Sequence, residues 1–148
     1  MDFGAVFLAI LGFVWILFAV VQDLRKREIA NWINFSLVIF ALAFRFFYSV
    51  FSDNGYGFFY QGLIGFGIFF MIGNLFYYGK VFAGGDAKLM MALGAVIPFS
   101  ESVFANLNSV MVFFAFFLIA GAFYGAIYSL VLGIKNGKTF RIEFSKQL

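Results

Sequence analysis

Two aspartates stand out against an almost uncharged background, each at one end of an apolar stretch. Asp23 follows the first apolar stretch of the chain, and Asp86 precedes the fourth. Two carboxylates that meet in a poorly hydrated place do not both ionise, because the charge of one raises the pKa of the other. The ionised member can then take a proton from water while the protonated member donates to a scissile carbonyl. If the two residues meet, they are equipped for peptide hydrolysis.

The residues around these aspartates are polar or small. Gly84 and Gly85 precede Asp86, and such side-chain-free backbone lets an extended peptide approach a carboxylate closely. A plainer interpretation exists for each aspartate. Asp86 could be an N-cap with the glycines forming the turn before it, and Asp23 could be an ordinary charge at a helix end.

The composition excludes several other kinds of chemistry. The chain has no cysteine and no histidine, which rules out disulfides, thiolate metal sites and imidazole bases. We therefore expect neither a metal nor another cofactor, and no nucleic acid partner.

The elements that must position the aspartates are membrane helices. Hydrophobic residues make up 64% of the 148 residues and charged residues only 11%, which is too little polar surface for a soluble domain. A bilayer core requires about 20 apolar residues per helix. The sequence predicts an all-α integral membrane protein, a bundle of about five to six transmembrane helices, with five spans near residues 3–22, 30–51, 57–79, 86–104 and 109–134.

Basic residues are distributed unevenly between the two ends of these spans. Five crossings place all Lys and Arg residues except Arg45 on one side, which the positive-inside rule assigns to the cytoplasm. Both aspartates then lie at the cytoplasmic face of the cell membrane, and the N-terminus lies outside. The cations concerned are Arg25, Lys26, Arg27, Lys80, Lys88, Lys135, Lys138, Arg141 and Lys146.

Two polar or helix-breaking residues interrupt the predicted spans. Arg45 lies in the outer half of the second span, where we expect it to snorkel to the interface or pair with Asp53 or Glu101. Pro98 lies within the fourth span and would kink or end it, so this helix should be buried among its neighbours.

The polar segments resemble those of the type IV prepilin and archaeal preflagellin peptidases. Ala83 to Lys88 is similar to their GxGD signature, and Asp23 to Asn31 is similar to their first motif, an aspartate followed by a basic loop and Ile-Pro-Asn. Ala83 replaces the first glycine of that signature, and Ala30 replaces the proline. The family core usually has six spans, so a sixth would be absent from this chain or supplied otherwise.

The resemblance implies an aspartyl endopeptidase that removes short basic leaders from pilin-like or flagellin precursors. Its catalytic residues would be Asp23 and Asp86, and the residues that bind substrate or shape the site would be Gly84, Gly85, Lys88 and Asn31. Many bacterial members also methylate the new N-terminus and carry a cysteine-rich segment. Because this chain has no cysteine, we do not expect methyltransferase activity.

Two alternative functions remain open at this stage. A presenilin-like intramembrane protease shares the GxGD motif, and a small transporter or assembly subunit could use intramembrane acids to move protons. In each case we expect residues 1–134 to form the membrane domain and residues 135–148 a basic cytoplasmic tail.

Overall fold

The computed structural model describes residues 3–52, 55–100 and 102–135, which form five α-helices and no strand. The helices are α1 Phe3–Lys26, α2 Asn31–Phe51, α3 Gly57–Tyr78, α4 Gly84–Leu93 and α5 Val103–Lys135. Helices α1, α2, α3 and α5 are long and apolar enough to cross a membrane. The predicted fold class, an all-α membrane protein, is confirmed.

Small residues on α1 allow neighbouring parts of the chain to pack closely against it. The buried residues of α1 include Gly4, Leu8 and Gly12, which recur every fourth position and so lie on one face of the helix. Above this stripe the Phe7 ring stacks on Phe44 with centroids 4.0 Å apart. A Cβ at Gly4 would lie against Phe58 and Tyr48, and one at Gly12 against Val96, so this face of α1 packs on α2, on α3 and on the segment after α4.

The prediction that the fourth span forms one continuous helix is wrong. Only Gly84–Leu93 is helical, and residues 94–100 form turns and irregular backbone. After Leu93 the amides of Gly94, Ala95 and Val96 bond to carbonyls three residues earlier, which tightens the last turn. Pro98 has no N–H and disfavours a helical conformation at the residue before it, so the helix does not resume.

The segment from Gly84 to Ser100 nevertheless runs antiparallel along the whole of α3. Glycines of α3 make this close approach possible, because a Cβ at Gly73 would lie 3.1 Å from the Ala87 carbonyl oxygen. Likewise, a Cβ at Gly65 would lie 2.5 Å from the Gly94 carbonyl oxygen. The chain thus returns to the far end of α3 with only ten residues in helical form.

Arg45 holds the irregular segment in place. It is fully buried, and its guanidinium donates to the carbonyl oxygens of Ala95, Val96 and Pro98 and of Phe58 at the start of α3. The prediction that Arg45 snorkels to the interface is therefore wrong, since buried carbonyls left free by the broken helix provide its partners. The two acids suggested as its partners, at positions 53 and 101, lie outside the described residues.

The described chain divides into two compact units between Val110 and Met111. The first contains α1 to α4 and the beginning of α5, and the second contains the rest of α5. The predicted tail after residue 135 lies outside the described residues, so the proposed division into a membrane domain and a tail stays a prediction.

Candidate active site

The C-terminal end of α1 positions Asp23. The Asp23 carbonyl accepts a hydrogen bond of 2.7 Å from the Arg27 amide, which closes the last turn of the helix. Arg27 adopts the left-handed conformation, with φ of 55°, as is common for the residue that follows a helix C-terminus. Asp23 therefore lies in a well-formed last turn, and the chain changes direction directly after it.

Two side-chain hydrogen bonds fasten the loop that follows. The Gln22 side chain accepts a bond of 2.8 Å from the Ala30 amide, which ties the end of the loop back to α1. Lys88 of α4 donates a bond of 2.8 Å to the side-chain oxygen of Asn31, the first residue of α2. These two bonds link the ends of α1, α2 and α4 around one space.

The N-terminus of α4 positions Asp86. Ala83 is the N-cap residue, and Asp86 is the third residue of the helix, so the interpretation of Asp86 as an N-cap is wrong. Gly85 lies against the loop, because a Cβ on this glycine would be 3.3 Å from both the amide nitrogen and the Cβ of Ile29. The absence of a side chain at Gly85 thus lets the two aspartate-bearing segments approach each other.

A cavity of about 520 Å³ lies between these segments. The structure brings every site residue suggested by the sequence to its wall, although the chain separates them by up to 65 positions (88 minus 23). Those residues are Asp23, Asn31, Gly84, Gly85, Asp86 and Lys88. The geometry shows that they meet, and their roles in chemistry stay predictions.

The Asp86 carboxyl is affected by its burial and by the charge of Asp23. Partial burial raises the pKa of the Asp86 carboxyl above its usual value, and the negative charge of Asp23 raises it further. Asp86 therefore keeps its proton to higher pH than an isolated aspartate does. A carboxyl with a raised pKa next to a second carboxyl is an arrangement that suits general acid–base hydrolysis.

Sequence reasoning missed two contributors to the site. Gln22 was not singled out, although an amide just before Asp23 at the end of an apolar helix is itself an anomaly that could have drawn attention. Arg27 was interpreted only as a topology signal, yet it lines the cavity. No sequence pattern predicts that an arginine adopts the left-handed conformation, because this conformation depends on the turn that the residue occupies.

The acidic side chains of the described residues form no cluster of metal ligands. Among these residues, no three His, Cys, Asp or Glu side chains gather as they would around a metal ion. Glu28 is a third carboxylate at the cavity wall, but it is not grouped with the two aspartates in that way.

Comparison with known proteins identifies the family. A sequence model of the type IV leader peptidase family matches residues 10–131, which is most of the chain and includes both aspartates. The chain belongs to the type IV leader peptidase family. The resemblance noted from the two motifs is thereby confirmed.

Three curated relatives of this chain are named preflagellin peptidases. The protein of Methanococcus maripaludis (strain C6) is 31% identical over 134 residues, covering 86% of this chain and 57% of its own. The protein of Methanocaldococcus jannaschii is 37% identical over 89 residues, which cover 60% of this chain and 37% of the relative. The protein of Methanococcus voltae is 30% identical over 127 residues, which cover 84% of this chain and 54% of the relative.

The chain spans between 37% and 57% of the length of these curated relatives. No solved structure matches it.

Proposed function

We propose that this protein is a membrane-embedded aspartyl endopeptidase that removes leader peptides from flagellin-like precursors. The observation that carries the proposal is the shared cavity. Asp23 and Asp86 are far apart in the sequence, yet they line one space and interact electrostatically. Family membership supports the same reaction.

The proposed mechanism assigns a different task to each carboxyl. Asp86, whose pKa is raised, holds the proton and donates it to the carbonyl oxygen of the scissile peptide bond. Asp23 takes a proton from the attacking water, whose oxygen bonds to the carbonyl carbon. When the tetrahedral intermediate collapses, the C–N bond breaks, Asp23 passes its proton to the leaving nitrogen and Asp86 takes a proton back from a hydroxyl of the intermediate, which gives a new carboxyl and a new amine. Gly84 and Gly85 leave room for an extended peptide beside Asp86.

The names of the relatives favour preflagellin as the substrate class over prepilin. Each of the three relatives above is named a preflagellin peptidase. The family match also favours leader removal over the two alternatives, a presenilin-like protease and a transporter or assembly subunit.

We further propose that the cavity opens at the cytoplasmic face of the cell membrane. Arg25 and Lys26 form the last turn of α1, Lys80 follows α3, and Lys88 lies in α4 beside the cavity. A cluster of cations at one end of membrane helices is typical of the cytoplasmic side.

Substitution of either aspartate tests the proposal. We expect Asp23→Asn and Asp86→Asn each to abolish leader removal, because an amide can neither take a proton from water nor donate one as an acid. The measurement is the gel shift of a preflagellin co-expressed with each variant, with membrane insertion checked by fractionation.

Glu28→Gln provides a matched control. It neutralises a neighbouring carboxylate that this mechanism does not use, so cleavage should persist. Cleavage that continues in either aspartate variant would rule out the pair as the catalytic residues.

A further inference from the structure

A second cavity adjoins the proposed active site. It has a volume of about 370 Å³ and lies between α2, α3 and α4. Most of its wall is apolar, with side chains that include Phe35, Val38, Phe66, Phe70 and Met91. We call this cavity the apolar groove.

The apolar groove and the cavity that holds the aspartates share part of their walls. Gly84 and Lys88 line both spaces. Asn34, in the wall of the groove, lies one helical turn beyond Asn31, in the wall of the aspartate cavity. A peptide chain whose scissile bond lies between the aspartates can therefore continue into the groove.

Asn34 is the unusual member of this wall. Only 4% of its surface is exposed, and neither its side-chain nitrogen nor its side-chain oxygen has a hydrogen-bond partner among the described residues. A buried carboxamide without partners costs free energy, because it has lost its hydrogen bonds to water. A residue that serves only to fill this space would be better as leucine, which has similar size and no polar atoms.

A peptide main chain supplies the missing partners. A carboxamide offers an N–H donor and a carbonyl acceptor, which match the carbonyl and N–H of one peptide group. A chain that is extended near its scissile bond has main-chain groups without internal partners, and in apolar surroundings these groups also need partners. The carboxamide and the peptide group then each provide the hydrogen-bond partners that the other lacks.

We infer that the apolar groove binds an extended apolar segment of the precursor next to the scissile bond, and that the Asn34 carboxamide turns toward the groove and hydrogen-bonds to the main chain of that segment. This inference rests on the proposed function and assigns a binding residue to the same reaction. Asn34 thereby contributes to specificity, because its bonds require an unfolded peptide group at this depth, while the surrounding side chains require an apolar sequence.

Asn34→Leu tests the inference by separating binding from stability. We expect kcat/KM for leader removal to fall by about tenfold to a hundredfold, as for loss of hydrogen bonds to buried peptide groups. The thermal unfolding temperature of the purified protein should stay equal or rise, because the substitution removes two unsatisfied polar atoms from the interior.

Ser49→Ala is the matched control. Ser49 is also buried on α2 with an unpartnered side-chain oxygen, but it lies about 22 Å further along the helix. Its substitution should leave kcat/KM unchanged. A structural role for Asn34 would instead lower the unfolding temperature of Asn34→Leu and leave kcat/KM near the wild-type value, which would overturn the inference.

Photocrosslinking tests the groove independently of cleavage. In an Asp86→Asn background, benzoylphenylalanine at Phe35 should crosslink to added preflagellin. The same probe at Phe40 should not, because Phe40 faces Trp15 of α1, with ring centroids 5.5 Å apart. The two positions are matched in exposure, at 65% and 55%.

The outcomes separate the two proposals. A wild-type protein that cleaves no precursor overturns the proposed function and this inference together. A cleaving wild type with an equally active Asn34→Leu variant overturns only the inference, as does a probe at Phe35 that captures lipid but no precursor.

Discussion

At the scale of single residues, the position of Asp86 in its helix determines how it can act. As the third residue of α4 it lies in the first turn of that helix and lines the same cavity as Asp23, which lies in the last turn of α1. An N-cap aspartate would instead accept hydrogen bonds from its own helix and be occupied by them. The observed position leaves the carboxyl directed to the chemistry of the cavity.

The raised pKa of Asp86 predicts a pH-dependent stability. Because the folded protein holds this proton more tightly, it binds more protons than the unfolded chain from about pH 4 up to the raised value. The contribution to stability is therefore fully present below this window, and it is lost as the pH rises through it. In Asp86→Asn this dependence should disappear, as measured by unfolding temperatures in detergent across the acidic range.

Asp23→Asn is the informative comparison for that measurement. This substitution removes the Asp23 charge, the smaller cause of the raised Asp86 pKa, and keeps the desolvation. The pH range over which stability changes should therefore become narrower without disappearing. Equal pH dependence in the wild type and Asp86→Asn would contradict the assignment.

At the scale of elements, glycines of α3 leave room for α4 and the irregular residues 94–100 to pack closely against this helix. Gly73 faces α4 and Gly65 faces the turns after it, and main-chain atoms of the two segments approach closely there. This close packing compensates for the small amount of helix in residues 84–100, because many atoms are in contact over a short length.

Alanine substitutions on α3 test this packing. At Gly65 the added methyl group would collide with the Gly94 carbonyl oxygen and the Pro98 ring, so we expect the free energy of unfolding to fall by about 1–3 kcal/mol. Gly67 lies on the same helix, and a methyl group there meets no described atom within 4 Å. Gly67→Ala should therefore keep or slightly raise stability.

Chemical or thermal unfolding in detergent would measure both variants. A Gly65→Ala protein as stable as Gly67→Ala would show that α4 does not rest on α3 as described.

At the scale of the whole first unit, Arg45 joins three parts of the chain. From α2 it donates to the start of α3 and to three carbonyls of the irregular segment, and its guanidinium lies 4.4 Å from the Phe58 ring centre. A planar group with five donors suits several carbonyls at once.

Removal of the guanidinium should weaken the unit as a whole. Arg45→Met leaves buried carbonyls unpaired, so we expect a loss of about 3 kcal/mol or more in the free energy of unfolding. Arg45→Lys keeps the charge but cannot reach all four carbonyls, so its loss should be intermediate. The measurement is denaturant unfolding, and an Arg45→Met protein with wild-type stability would contradict this account.

The sequence by itself determined the membrane class, the approximate helices α1, α2 and α3, and the candidate residues of the site. These follow from local properties, since runs of apolar residues require lipid and paired acids beside glycines are conspicuous in such runs. The family resemblance depended on the same local motifs.

Only the tertiary structure decided where the chain breaks and which polar groups meet. The length of α4, the carbonyl partners of Arg45 and the unpaired carboxamide of Asn34 depend on contacts between segments far apart in the chain. Hydropathy cannot reveal such contacts, because it counts the apolar character of each residue without its neighbours in space. The sequence therefore suggested two aspartates, and the fold brought them to one cavity beside an apolar groove.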